Sequence, residues 1–129
     1  MKILVVDDEM DVKALFEQRF RREIRNQEFD FAFAFSGEEA LVYLDANKKS
    51  TVLILSDINM PGMSGLQLLE AIKGSEPKPT PMVMMITAYA DDDNFNTAKQ
   101  LGADDFLHKP VDFVALKEKL KELSQWQKS

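Results

Sequence analysis

The chain has 129 residues, 45% of them hydrophobic and 29% charged, and this composition is that of one globular domain with a single core. No apolar run approaches the roughly 20 residues that span a bilayer, and the amino terminus turns acidic too soon for a signal peptide. The absence of cysteine excludes disulfides and cysteine-based zinc sites, and a net charge of −6 argues against non-specific nucleic-acid binding. We therefore expect a cytoplasmic protein that contacts neither membrane nor nucleic acid directly.

The first half of the chain alternates apolar runs with helical stripes. Residues 3–6 form a continuous apolar run, which predicts a buried strand. Residues 11–25 predict one helix with an inward face made of Val12, Leu15, Phe16, Phe20 and Ile24. Residues 29–35 alternate phenylalanine with other residues, which predicts a strand with its aromatic rings on one face. Ser36 and Glu39 then form a capping box that opens the second helix.

The first predicted helix carries a local excess of positive charge in an otherwise acidic chain. Its members are Arg19, Arg21, Arg22 and Arg25. We interpret this run as a solvent-exposed face with Glu17 and Glu23 as neighbours, because a run of charge alone is weak evidence for a binding patch.

The second half continues the alternation of strands and helices. Further apolar runs predict strands at 52–55, 82–86 and 106–109. A second capping box, Ser64 with Gln67, opens a helix that stops near Gly74. Residues 91–101 predict a helix with a thin apolar stripe, and Asp112 caps a last amphipathic helix.

The order of elements is strand then helix, repeated five times. Strands that read as continuous apolar runs indicate a parallel sheet with helices on both faces. Right-handed crossovers leave few topologies, and we predict a doubly wound α/β fold of the flavodoxin-like type with strand order 2-1-3-4-5. Residues 1–129 are expected to form a single domain.

Each of these strands except the second ends in a segment with polar residues, at the edge where such folds bind ligands. The segments are Asp7-Asp8 for the first strand, Ser56-Asp57 for the third, Thr87-Ala88 for the fourth and Lys109-Pro110 for the fifth. We therefore expect the carboxylates of Asp7, Asp8 and Asp57 to lie close together.

Three clustered carboxylates repel one another unless a proton or a cation joins them. Oxygen ligands alone suit a hard ion such as Mg²⁺ or Ca²⁺, and Mg²⁺ fits better because it retains waters and accepts phosphate oxygens. Lys109 and Thr87 offer the positive charge and the donor that a phosphoryl group requires. Asp57 is then the candidate nucleophile that receives the phosphoryl group.

Four segments in this order resemble the receiver domains of bacterial two-component response regulators. They are VVDDE at 5–9, SDINMPGMSG at 56–65, ITAYA at 86–90 and the KP of FLHKP at 106–110. The resemblance covers essentially the whole chain. It implies that Asp57 accepts a phosphoryl group from a phosphohistidine, carried by a sensor histidine kinase or a phosphotransfer protein. It also implies Mg²⁺ bound by Asp57, directly by Asp8, through water by Asp7, and by the backbone carbonyl of Asn59.

The resemblance further implies a switch. Thr87, with Ala88, would bind phosphoryl oxygens, Lys109 would pair with the phosphoryl group, and the bond before Pro110 would be cis. Phe106 matches an aromatic position that packs inward when Thr87 moves, and here it lacks the hydroxyl of a tyrosine. The surface of the fourth helix, fifth strand and fifth helix would be read by an effector, or by a second copy in a phosphorylation-dependent homodimer.

By the same resemblance, the chain is not an enzyme that turns over an external substrate, although it would lose its phosphoryl group slowly. Asn59 and Tyr89 match positions that tune this loss. Tyr89 is bulky and would stand near the path of an attacking water, so we expect a longer-lived aspartyl phosphate than in members with a carboxylate there.

Three other readings compete with this one. A haloacid-dehalogenase-like phosphohydrolase would carry its two aspartates at one strand end and need a cap. A flavodoxin-like cofactor binder would need a Gly/Ser/Thr-rich phosphate loop after the first strand. A pseudo-receiver that is never phosphorylated is disfavoured by the intact set of Asp57, Thr87 and Lys109.

His108 is interpreted as a packing or surface residue. The sequence leaves open the cognate kinase, the output, and whether a longer regulator contains this chain.

Overall fold

The computed structural model describes residues 1–47, 49–76, 78–88 and 92–128. Five strands form one sheet in this part of the chain: β1 (Lys2–Val6), β2 (Asp30–Ala34), β3 (Thr51–Asp57), β4 (Met82–Thr87) and β5 (Asp105–His108). All pairings are parallel and the strand order is β2-β1-β3-β4-β5. The predicted flavodoxin-like topology is therefore confirmed.

Six helices connect and cover these strands. They are α1 (Asp11–Arg19), α2 (Arg21–Arg25), α3 (Gly37–Asn47), α4 (Gly65–Lys73), α5 (Asp92–Gln100) and α6 (Phe113–Lys128). Among the described residues, no helix has the length and apolar character that crossing a membrane requires.

The single helix predicted over residues 11–25 is wrong, because the structure divides it into α1 and α2. The break is at Phe20, whose φ of −111° and ψ of 21° leave helical geometry. The Phe20 ring is fully buried, with its centroid 5.0 Å from that of Phe31 and 5.9 Å from that of Phe29. Leu15, expected to face inward, is 39% exposed. The predicted fourth and fifth helices thus correspond to α5 and α6.

The two faces of the sheet carry different cores. On one, which we call the aromatic face, α1, α2 and α6 pack over phenylalanines that contact one another: Phe16, Phe20, Phe29, Phe31, Phe33 and Phe113. On the other, which we call the aliphatic face, α3, α4 and α5 pack over mainly aliphatic residues. The aromatic rings of β2 lie on one face and its alanines contribute to the other, as the alternation predicted.

Local signals in the sequence set where most helices begin and end. Both halves of the Ser64–Gln67 capping box are present at α4. Ser36 Oγ accepts from the Glu39 N–H at 3.0 Å, and α5 is followed by Gly102 at a φ of +99°. The thin stripe predicted for α5 is confirmed, since Ala98 is its one buried residue among those described. The predicted first residue of this helix, Asp91, lies outside the described residues.

Candidate functional site

The carboxyl ends of four strands meet at one edge of the sheet. Val6 pairs with Ser56, Asp57 with Ile86, and Thr87 with His108. Because parallel strands in this register end together, the residues just beyond them share one crevice at the point where strand order reverses. The sequence prediction of a common polar edge is therefore realised in the geometry.

Three carboxylates form the centre of this crevice. One carboxylate oxygen each from Asp7, Asp8 and Asp57 lies within 4.8 Å of the others. Asp57 is 4% exposed and Asp7 9%, whereas Asp8 faces solvent. Asp7 is fixed by an N–H bond from Glu9 to its carboxylate at 3.0 Å. This set offers hard oxygen ligands, one of them exposed to solvent, and such ligands suit a hard divalent cation.

Lys109 supplies the positive charge at the buried carboxylate. Its Nζ donates to Asp57 Oδ2 at 2.8 Å. Burial lowers the pKa of Lys109, but the hydrogen bond and charge of Asp57, together with Asp7 and Glu9, outweigh it and raise the pKa above its ordinary value. The ammonium therefore stays charged.

The carboxyl of Asp7 has a pKa above its ordinary value. Burial raises this pKa most, and the charges of Asp57 and Asp8 raise it further. The hydrogen bond from the Glu9 N–H and the charge of Lys109 lower the pKa, but they do not outweigh these effects. One ammonium thus compensates three carboxylates incompletely, which is the electrostatic condition that a bound cation relieves.

Thr87 and Phe106 lie on the neighbouring strands. Thr87 is 2% exposed, and its Oγ1 donates to the Ala88 carbonyl at 2.9 Å. The Lys109 N–H donates to the Thr87 carbonyl at 2.9 Å, which ties the end of β5 to the end of β4. The ring of half-buried Phe106 lies 4.3 Å, centroid to centroid, from that of Phe95 in α5.

The remaining residues predicted for the site are placed as follows. Asn59 is exposed in the loop after β3. The Lys109–Pro110 peptide bond is cis. His108, which the sequence assigned to packing or surface, is exposed. Tyr89 lies outside the described residues.

Gly65 is a site residue that sequence reasoning missed. A Cβ at Gly65 would lie 2.1 Å from the carbonyl oxygen of Asp57 and 2.7 Å from Cα of Ile58. The Gly65 N–H also donates to the Ile58 carbonyl at 2.7 Å. Only glycine allows the loop after Asp57 to fold back this closely onto the strand end. The available signal was a glycine at the first helical position after the Ser64 cap.

An apolar groove beside the carboxylates was also missed. It has a volume of about 780 Å³ and runs between α1 and the segment before α6. Its lining includes Val12, Leu15, Pro110 and Phe113, and it reaches Asp7 and Lys109 at one end. The exposure of Leu15 follows from its place on this groove rather than in the core.

The site therefore presents a buried carboxylate at a strand end, an ammonium that bonds to it, and two further carboxylates that fit a hard cation. A carboxylate in such surroundings is chemically suited to act as a nucleophile toward a phosphoryl group.

Comparison with known proteins gives the same class. The family model described as "Response regulator receiver domain" matches residues 3–121. The chain is 34% identical over 128 residues to the chemotaxis protein CheY of Pseudomonas aeruginosa, covering 95% of each. It is 39% identical over 117 residues to the response regulator protein PilR of the same species, covering 91% of this chain and 24% of PilR. A receiver domain structure from Clostridium thermocellum superposes with a TM-score of 0.82 at 28% identity, covering 98% of this chain and 96% of that one.

The chain belongs to the response regulator receiver domain family, and thus to the proteins of two-component signalling. Receiver domains are signalling domains rather than turnover enzymes on external substrates. In general they use Mg²⁺ and work with histidine kinases and effectors. PilR shows that a segment of this kind also occurs within a longer regulator.

Proposed function

We propose that Asp57 accepts a phosphoryl group from a phosphohistidine of a sensor kinase or phosphotransfer protein, in the cytoplasm, and that residues 1–129 act as one receiver domain. The observation that carries this proposal is the buried Asp57 carboxylate with Lys109 at 2.8 Å and two carboxylates within 4.8 Å. A purely structural aspartate at a strand end would not need two further acidic neighbours.

The transfer is a substitution at phosphorus. A carboxylate oxygen of Asp57 forms the new P–O bond while the P–N bond to the donor imidazole breaks. The bonding electrons and a proton remain with the imidazole. Lys109 lies where it can hold a phosphoryl oxygen or the Asp57 oxygen as charge redistributes.

We propose that Mg²⁺ is held by Asp57, Asp8 and the backbone carbonyl of Asn59, with Asp7 acting through water. The fit rests on the all-oxygen donor set within 4.8 Å and on the raised pKa of Asp7, which is caused first by burial and then by the charges of Asp57 and Asp8. When bound, the ion neutralises charge on the incoming phosphoryl oxygens.

The phosphodonor would approach through the apolar groove beside the site. Leu15 and Val12 of α1 and Phe113 of α6 offer it an apolar surface that leads to Lys109. A helix with apolar side chains and its phosphohistidine at the Asp57 end would fit such a groove, since helices commonly dock by an apolar face.

Phosphorylation would switch the surface made by α5, β5 and α6. In the structure, the Thr87 hydroxyl bonds to the Ala88 carbonyl, and Phe106 lies against Phe95. A phosphoryl oxygen near Asp57 offers Thr87 a charged acceptor, which is a stronger partner than a carbonyl. Movement of Thr87 would make room for Phe106 to pack inward and change what an effector, or a second copy in a homodimer, contacts.

Loss of the phosphoryl group is part of the proposal. Asn59 is exposed beside the carboxylates and would influence access of water, with Tyr89 as the second tuning position. We expect slow hydrolysis of the aspartyl phosphate and no turnover of an external substrate.

Intact-mass spectrometry after incubation with Mg²⁺ and acetyl phosphate tests this function. We expect wild type to gain one phosphoryl group, and we expect no gain with EDTA or in Asp57→Asn. Asp30→Asn, which changes an exposed aspartate at the start of β2, is the matched control and should be phosphorylated like wild type. A gain of equal size in Asp57→Asn would contradict the assignment of the acceptor. If wild type gains no phosphoryl group and beryllofluoride also causes no NMR shift changes, the protein would instead be a pseudo-receiver.

A further inference from the structure

All four arginines of the chain lie between residues 19 and 25. Elsewhere in the chain, lysine is used in place of arginine. These arginines line a pocket of about 520 Å³, together with Gln18 and Glu23 and with Lys117 from α6. We call it the arginine pocket. Since α1 runs back along the sheet from the Asp57 edge, the pocket lies toward the opposite edge and is separate from the phosphorylation site.

The charge in this pocket is uncompensated. Within the described part of the chain, every salt bridge is made by a lysine, and none of the four arginines has a carboxylate oxygen within bridging distance. All four arginines are exposed. The contact that the structure gives to one of them, Arg19, is with the ring of Phe113 at 5.6 Å. The arginines that line the pocket therefore have no ion-pair partner among the described residues.

A buried acceptor lies in the same pocket. Glu23, expected on an exposed face, has a side chain that is 5% exposed, so that expectation is wrong. Its Oε2 lies 3.3 Å from Lys117 Nζ and 3.9 Å from Lys121 Nζ, so two lysines neutralise its charge. Its Oε1 is buried and has no hydrogen-bond partner among the described residues. The charge of Glu23 is therefore paired with lysines of α6 and does not compensate the arginines.

Helix-dipole stabilisation does not account for this arrangement. A positive charge is favoured in the last turn of a helix, which suits Arg19 and Arg25, but Arg21 opens α2, where a positive charge is disfavoured. A lysine would interact with the helix dipole equally well. Arginine differs in its planar guanidinium group, which can bind phosphate through two parallel hydrogen bonds.

We propose that the arginine pocket binds a small ligand with phosphate groups, such as a nucleotide or a phosphorylated polyol, either free or as a lipid headgroup. The arginines hold the phosphate oxygens. The recess of about 520 Å³ has room for a small ligand of this kind.

Isothermal titration calorimetry without Mg²⁺, at physiological salt, tests the proposal with pyrophosphate and ADP as probes. We expect one saturable site for each. Arg22→Gln/Arg25→Gln should weaken both by about tenfold or more, since each loses charge-assisted hydrogen bonds. Arg22→Lys/Arg25→Lys keeps the charge and loses the fork, so it should weaken binding by an intermediate factor.

The control Lys13→Gln/Lys49→Gln removes two exposed positive charges elsewhere and should change affinity by less than about twofold. Titration with phosphatidylcholine vesicles, with and without phosphatidylinositol phosphate, distinguishes a headgroup from a free ligand. The proposal is overturned by no saturable binding of any probe, by equal loss in the control, or by loss in Lys109→Gln, which would place the probe at the phosphorylation site. Binding only to single-stranded RNA, with affinity rising with its length, would also overturn it. Circular dichroism of each variant establishes that it is folded.

Discussion

The helices on either side of β5 are held in different ways. α6, on the aromatic face, buries Leu116 and Leu120 completely, and Asp112 caps its first turn through the N–H groups of Val114 and Ala115. It is also tied by ion pairs, from Lys119 to Asp105 and from Lys117 to Glu23. α5, on the aliphatic face, buries only Ala98 among its described residues, and its Phe95 ring contacts Phe106.

This difference indicates which side of the molecule can move. A helix with a single buried residue among those described is expected to have a small free-energy gap between alternative packings, so that a few hydrogen bonds at Thr87 would shift it. A helix with two fully buried leucines, a cap and ion pairs should resist the same bias. We therefore expect the aliphatic face near β5, rather than the aromatic face, to respond to phosphorylation.

The largest expected effect is on the aromatic face. Phe20→Ala removes a fully buried ring that contacts Phe16, Phe29 and Phe31, and should lower the free energy of unfolding by about 3–5 kcal/mol. Urea denaturation followed by circular dichroism measures it. A loss below about 1 kcal/mol would show that these rings contribute little to the stability of the fold.

Gly65 connects the aliphatic face to the site. Gly65→Ala places a Cβ against the Asp57 carbonyl, so the loop must shift, at a cost of about 1–3 kcal/mol. We also expect slower phosphorylation by acetyl phosphate, followed by intact mass. The control is Gly74→Ala, whose Cβ would meet the Glu70 carbonyl at 3.2 Å, and it should stay within about 1 kcal/mol of wild type. Equal behaviour of the two variants would refute the close approach.

Removing the ring that holds α5 should have a smaller and local effect. Phe95→Ala loses the Phe106 contact and should cost about 0.5–1.5 kcal/mol. Amide exchange in α5 should become faster while exchange in α6 stays unchanged. Faster exchange in both helices would mean that they move together.

The smallest effect concerns the ion pairs of α6. Burial raises the pKa of Glu23, but a bond from its own backbone N–H and the nearby Lys117 and Lys121 outweigh this and hold the pKa below the ordinary 4.5. A lowered pKa in the folded state stabilises the protein above pH 4.5, and this contribution is lost as pH falls through the folded value.

The stability gap between wild type and Glu23→Gln should therefore shrink as pH falls below 4.5. Urea denaturation midpoints of both proteins, measured across this pH range, test this prediction. Taking the difference between the two proteins removes the pH dependence that their other acidic groups contribute equally to both. A gap that widens toward acid would reverse the sign of the argument.

The strand ends were predictable because they depend on local patterns. Runs of apolar residues locate parallel strands, and the geometry of such a sheet then brings the residues after them together, which is why Asp7, Asp57 and Lys109 could be grouped. The cap at Ser36 and the capping box at Ser64 are equally local. None of these inferences needed knowledge of a distant partner.

The features that the sequence did not predict all depend on contacts between residues that are far apart in the sequence. The helix break at Phe20 follows from rings in and before β2, and Glu23 is buried because Lys117 and Lys121 lie across from it in α6. Leu15 is exposed because it borders a groove with Pro110 and Phe113. Periodicity within one segment carries no information about these contacts.

Hydrogen exchange with and without beryllofluoride and Mg²⁺ tests most directly whether Asp57 is coupled to α5. Beryllofluoride stands in for the phosphoryl group on the aspartate. We predict altered exchange concentrated in α5 and β5, little change in α1 and α2, and no response in Asp57→Asn. Binding to Asp57 with exchange changes confined to α1 and α2, or absent throughout, would contradict the account.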